Sequence, residues 1–244
     1  MLTWQVSAGG ALVARDGRVL RWFLREAAAH PGLDTTAHYL CKLGNVQVAV
    51  PVLLAAVVGT GWAGRAAGLP RWWLPPAAAA LAMAAVPLVV TVVKDAVHRP
   101  PPGGTVPDPS GYGWFPSGHT ATSAVAFGAA ALLVLPWLAH GPARWAVRAG
   151  TPLLLLAIGL ALVWCDYHWP LDVLASWSLT LTLLSGVAAA RAVAARAATA
   201  AQGPAPGSPP DSGPGPADGS ADGPAQESAP GSGVGGEAEV DPPV

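Results

Sequence analysis

Five long apolar runs alternate with short polar connections along the chain, and each is long enough to cross a bilayer, which takes roughly 20 residues. They fall at 46–66, 72–93, 118–140, 149–166 and 170–190. Alanine, leucine and valine fill all five without strand-like alternation, so the expected spanning elements are helices and not the strands of a barrel. Almost nothing separates the last two runs, which predicts a tight helical hairpin. The pattern therefore predicts an all-α fold, a polytopic transmembrane helical bundle over 46–196. Upstream, residues 1–45 interleave Arg15, Arg18, Arg21 and Arg25 with Val13, Leu20, Trp22, Phe23 and Leu24. That mixture predicts an amphipathic interfacial helix and not a sixth span.

Composition sharpens the class. The chain is 52% hydrophobic and 11% charged, about half the charge of an ordinary globular domain. Its formal net charge of −1 averages two unlike regions. Residues 197–244 hold no Lys or Arg and seven Asp or Glu among many Pro, Gly, Ser and Ala. Such a stretch cannot bury enough apolar surface to offset its ordering entropy, so a disordered acidic tail is expected. The remainder is net positive. Cys41 and Cys165 are isolated, and Cys165 reads as a small packing residue. Many of the eleven Trp stand at span ends, as in an interfacial aromatic belt. The partner this composition implies is the bilayer; no nucleic-acid partner is expected.

Two short polar islands interrupt the apolar pattern. One is Pro116-Ser117-Gly118-His119, at the start of the third run; the other is His168-Trp169-Pro170-Leu171-Asp172, at the start of the fifth. With five spans both fall on one side of the membrane, together with Lys94 and Arg99 from the 94–118 loop. Arg65, Arg71, Arg144, Arg148, Arg191 and Arg196 fall on the other. The positive-inside rule then places the islands outside the cytoplasm and the tail within it. The expected localisation is thus a multi-pass cell-membrane protein with an extracytoplasmic site.

The residue types in the islands suit phosphoryl transfer. Ser117 is a good N-cap and Gly118 permits close backbone approach, so the helix start forms an anion site. Lys94 and Arg99 add fixed positive charge of the kind that clamps phosphoryl oxygens. Asp172 stands at i+4 from His168, where a carboxylate on one ring nitrogen frees the other to attack. His168 is therefore the expected nucleophile, His119 the general acid, and Asp172 the orienting group. No cofactor is expected, and the carboxylates form no cluster suited to a metal.

These residues resemble the type 2 phosphatidic acid phosphatase (PAP2) superfamily, membrane lipid phosphate phosphatases related to vanadium haloperoxidases. Its pattern is Lys-x6-Arg-Pro, then Pro-Ser-Gly-His, then Ser-Arg-x5-His-x3-Asp. The second motif is complete at 116–119, the His-x3-Asp half of the third stands at 168–172, and the resemblance covers about 75–190. It implies hydrolysis of a lipid phosphate or diphosphate through a phosphohistidine. Polyprenyl diphosphate, phosphatidic acid and phosphatidylglycerol phosphate are the candidate substrates.

Two departures accompany the resemblance. Pro101 stands where the first motif has arginine, with Arg99 two residues earlier, and Ala161-Leu162 replace the Ser-Arg pair. They motivate an alternative: a catalytically weak or inactive relative that binds lipid phosphates. A vanadate-dependent haloperoxidase is disfavoured by the five apolar spans, and a Ser117 hydrolase by the absence of a positioned base other than His119. The family commonly has six spans, so a further span upstream would account for the five read here.

Overall fold

The computed structural model describes residues 2–104 and 113–202. Those residues form eight α-helices and no strands: α1 (Leu2–Ser7), α2 (Ala11–Ala29), α3 (Asp34–Leu43), α4 (Val46–Ala66), α5 (Leu74–Val97), α6 (Gly118–Val134), α7 (Pro142–Trp164) and α8 (Pro170–Gln202). The last five are long and apolar enough to cross a membrane, in the order the hydropathy pattern predicts.

Several helix ends differ from expectation: α6 stops at Val134, short of 140, α5 starts at Leu74, and three further ends move for a local reason. α5 continues past 93 to Val97, which puts Lys94 on the helix and not in the loop. It stops at His98, whose left-handed backbone (φ 47°) breaks the helix just ahead of Arg99-Pro100. α7 begins at Pro142, ahead of 149, because proline suits the first turn of a helix. α8 runs on to Gln202 because Ala-rich sequence is the best helix former. Residues 197–202, expected to be disordered, are therefore helical, and the rest of the expected tail lies outside the described residues.

α6 is the central helix. Of its apolar window 61% is buried, against 22–28% for the other four, so the others ring it. Ala121, Ala124, Ala126 and Ala129 are fully or almost fully buried and let the neighbours approach closely. At Gly128 an added Cβ would lie 2.6 Å from Leu184 Cδ1, so a larger residue there would have to displace the end of that α8 side chain.

The N-terminal helices pack on the site end of this bundle. α2 is amphipathic as predicted: Leu20 packs with Val163 and Val173, and Arg18, Arg21 and Arg25 stay outside the buried set. Its buried face also carries Asp16, which no apolar pattern anticipates. α3 lies against α7 through Ala37, Cys41, Ile158 and Leu162. Burial, reinforced by the adjoining Cys165 thiol, pushes the Cys41 pKa up to about 12. Since the thiolate is the reactive form, Cys41 is expected to resist iodoacetamide at mildly alkaline pH in the folded protein and to react once unfolded, as read by peptide mass spectrometry.

Candidate active site

The two polar islands meet because backbone groups stitch the start of α6 to the first turns of α8. The Ser117 amide donates to the Asp172 carbonyl (3.2 Å), and Ser176 Oγ donates to the carbonyls of Ser117 (2.8 Å) and Asp172 (2.9 Å). Ser117 caps α6 as its sequence predicts, its Oγ accepting from the Thr120 amide at 3.2 Å. Ser117 is wholly buried, so it shapes the helix start, while Gly118 and His119 line the adjoining cleft.

His168 sits in the α7–α8 turn, with its amide and that of Tyr167 donating to the Leu162 carbonyl (3.3 and 2.9 Å). Its Nδ1 lies 3.3 Å from Asp172 Oδ2, the i,i+4 pairing expected. Donation from Nδ1–H to the carboxylate leaves Nε2 unprotonated. The Trp169 amide donates to the same carboxylate oxygen at 3.2 Å. Asp172 is fully buried and His168 5% exposed, so this pair is fixed by packing as well as by hydrogen bonds.

His119 faces His168 across the cleft, with ring centroids 6.4 Å apart, and Trp114 leans on His168 at 5.6 Å. His119 Nε2 is 3.0 Å from Asn45 Oδ1, at the N-terminal end of α4. Asn45 is a site residue the sequence reading missed. Its only signal is a polar, N-cap type of residue directly ahead of an apolar run.

Lys94 Nζ donates to the Gly113 carbonyl at 2.7 Å, so the ammonium closes the loop back onto α5. This contact requires glycine at 113, because a Cβ there would lie 2.3 Å from the Lys94 carbonyl oxygen. Gly113→Ala is expected to cost about 1–3 kcal/mol through the forced backbone shift, with a lower thermal midpoint in detergent.

Arg99 is placed differently from the other expected phosphate ligands. It does not line the cleft of the two histidines. Its Nη1 donates to Asp172 Oδ1 at 2.6 Å, its Nη2 pairs with Asp16 Oδ2, and its guanidinium lies 4.7 Å from the Trp169 ring. Asp16 Oδ1 also accepts from the Leu171 amide at 2.9 Å. All three charged groups are buried, Arg99 at 5%, Asp16 at 3% and Asp172 at 0% exposed. Burial raises the Asp16 pKa above the ordinary carboxylate value, with Arg99 pulling the other way. Asp16 is the second residue missed; its signal is a lone acid among the four arginines of 15–25.

The cleft has a volume of about 790 Å³ and two chemically distinct parts. Around the histidines it is polar: Asn45, Gln47, Thr91, Lys94 and Thr122. It then follows one stripe of α5 through Val90, Pro87, Val86 and Met83, facing Val46 and Val50 of α4. From Lys94 to Met83 the stripe descends about 16 Å at the helical rise. The cleft is thus a polar end joined to an apolar slot inside the bundle's spanning region.

Fold and site together define a class: a multi-pass helical membrane protein with a paired-histidine, aspartate-backed centre at one end of its bundle. The sequence profile of the PAP2 superfamily matches residues 75–196, and the chain belongs to that superfamily. Among solved structures, it is similar to the crystal structure of a transmembrane PAP2-type phosphatidylglycerolphosphate phosphatase from Bacillus subtilis. That likeness has a TM-score of 0.62 at 19% identity and covers 77% of this chain and 90% of the other, and it concerns the fold. Comparison with curated protein sequences returned no match.

Proposed function

We propose that this protein is an integral-membrane phosphatase that removes phosphate from a lipid phosphate or diphosphate through a phosphohistidine. The observation that carries the reading is the continuity of the cleft. Its polar end holds His119, His168 and Lys94, and its apolar slot descends beside α5, where a lipid chain can remain among spanning helices.

In this reading His168 Nε2 attacks phosphorus as the phosphorus–oxygen ester bond breaks, and protonated His119 gives its proton to the leaving oxygen. The ring separation of 6.4 Å leaves room for a phosphoryl group between them. Water then attacks the phosphohistidine, His119 takes its proton, and the nitrogen–phosphorus bond breaks to release inorganic phosphate. Lys94 and the α6 start stabilise the phosphoryl oxygens. Arg99 and Asp16 are positioning residues that hold Asp172, and through it the His168 tautomer. A site facing away from the cytoplasm agrees with the arginines of the short connections at the opposite end; tags at the two ends of α8, probed for access in sealed vesicles, test that orientation.

The test is phosphate release by the purified protein from polyprenyl diphosphate, phosphatidic acid and phosphatidylglycerol phosphate, beside His168→Ala. Release by wild type that vanishes in the variant is expected. Equal signals from the two would sink the reading. A second reading, a lipid-phosphate-binding relative with weak turnover, is favoured by one observation: Leu162 is wholly buried with Ile158 and cannot donate to phosphate. Binding of these lipids without release would select it.

A further inference from the structure

The polar end of the cleft is poor in positive charge, and the poverty is built into the fold. Among the described residues that line it, Lys94 is the one with a fixed positive charge; His119 adds a second only while it holds the proton it gives to the leaving group, and apart from His168 the other polar groups are neutral amides and hydroxyls. Residues 105–112, beside it in sequence, contain Asp108 and no Lys or Arg. Pro101 and Leu162 occupy the two positions where the superfamily motif has arginine, and Leu162 is sealed in an apolar cluster with Ala37, Cys41 and Ile158.

Arg99, the remaining cation of this loop, is withdrawn behind His168. Its two terminal nitrogens are taken by Asp172 and Asp16, so one positive group is shared between two carboxylates. Those three groups sum to −1 when ionised, and they flank the nucleophile. An incoming anion therefore meets the Lys94 ammonium and the His119 imidazolium in front and a net negative cluster behind. The cleft supplies neutral donors instead: the amides of Asn45 and Gln47 and the hydroxyls of Thr91 and Thr122.

From this charge count we infer that the site selects its substrate by the number of phosphates: it takes a lipid monophosphate and discriminates against a lipid diphosphate. The inference rests on the phosphatase reading above and narrows its substrate class. A phosphomonoester carries about −1.5 to −2 at neutral pH, which one ammonium, one imidazolium and a set of neutral donors match. A diphosphate brings further negative charge into the cleft with no additional cation among the described lining residues to meet it, and unpaired charge away from bulk water is costly. The amides and hydroxyls answer the number of phosphoryl oxygens without answering added charge. The chemistry of transfer is the same for both substrates, so the discrimination lies in binding and in charge development at the leaving group.

The experiment compares one prenyl chain carried as monophosphate and as diphosphate, with full-length protein in detergent micelles. Initial rates are followed on the prenyl species, so that product of the first hydrolysis is not counted again. The kcat/KM ratio is expected to favour the monophosphate by about tenfold or more, given that one missing phosphate donor is worth on the order of 10²–10³. Gln47→Arg, which adds a cation at an exposed position of the cleft wall, is expected to narrow or invert that ratio. Leu162→Arg is expected to act in the same direction if its buried site accommodates the charge, and Gln47→Arg decides the matter if it does not. The same pair is compared for binding to His168→Ala, where the Kd ratio is expected to run the same way. Equal treatment of the two lipids, or preference for the diphosphate, overturns the inference. Absence of turnover on both overturns the phosphatase reading, and the Kd ratio then still decides this one.

Discussion

Replacing Arg99 with leucine is expected to destabilise the protein by about 3–5 kcal/mol, the cost of removing one partner from a buried ion pair. The substitution strips Asp16 and Asp172 of their common counter-charge while both stay inside the fold. Asp16 already has a raised pKa, set by burial against the opposing pull of Arg99, and losing that pull raises it further. The sign of the pH dependence follows. A carboxyl whose folded pKa exceeds its unfolded one favours the fold when protonated and opposes it when ionised. The deficit of the variant is therefore expected to be small at acid pH and to grow as pH rises through that folded pKa. Thermal unfolding in detergent across this range measures it. Removing one of the two carboxylates as well, in Asp16→Asn/Arg99→Leu, is expected to recover part of the loss. A pH-independent deficit with no recovery would mean that packing, and not charge pairing, holds α2 to the site.

Asp172→Asn is expected to lower kcat by about 10²–10⁴ while leaving KM nearly unchanged, the scale seen when an orienting aspartate is made neutral in an acid–base triad. The geometry explains why a near-isosteric change does so much. Arg99 is only a donor and holds Oδ1 at 2.6 Å, so it claims the amide oxygen. The amide NH2 is then left facing His168 Nδ1, where the wild type has Oδ2. Nδ1 must accept, the ring proton moves to Nε2, and the nucleophile is blocked. The NH2 also meets the Trp169 amide, which donates to Oδ2 in the wild type, so some loss of stability accompanies the loss of rate. Steady-state kinetics of phosphate release, with unfolding measured in parallel, separates the two. A rise in KM with kcat unchanged would show that Asp172 serves binding instead of orienting His168.

How much was legible in advance differs from residue to residue. The spans were readable because hydrophobic length is a local property, and so was their helical character. His168 and Asp172 were readable as a pair because one helical turn brings i and i+4 together whatever the rest of the fold does. Ser117 was readable as a cap for the same reason, since its Oγ reaches an amide three residues on. The end of α5 was less so: hydropathy fades at Lys94, but the helix itself continues to Val97 until a left-handed residue and a proline stop it.

The contacts that define the site's electrostatics were not legible. Arg99 and Asp172 are 73 residues apart, Asp16 and Arg99 are 83 apart, and His119 and Asn45 are 74 apart. No periodicity within one helix encodes such pairs; they exist because α2, α4, α5, α6 and α8 present those faces at one end of the bundle. A basic loop residue read from sequence as a phosphate clamp therefore stands behind the His168–Asp172 pair, and an acid on an interfacial helix proves to be buried.

By itself the sequence determined a helical membrane protein of this superfamily, with two histidines and an aspartate in one polar layer. Apolar runs and helical spacing are enough for the spans and the histidine–aspartate pair, while the superfamily follows from the resemblance of the motifs. Only the tertiary structure decided which charges meet the cleft and which are spent on each other. Pairing across more than seventy residues is a matter of helix packing, and burial, not composition, determines what a charge is worth.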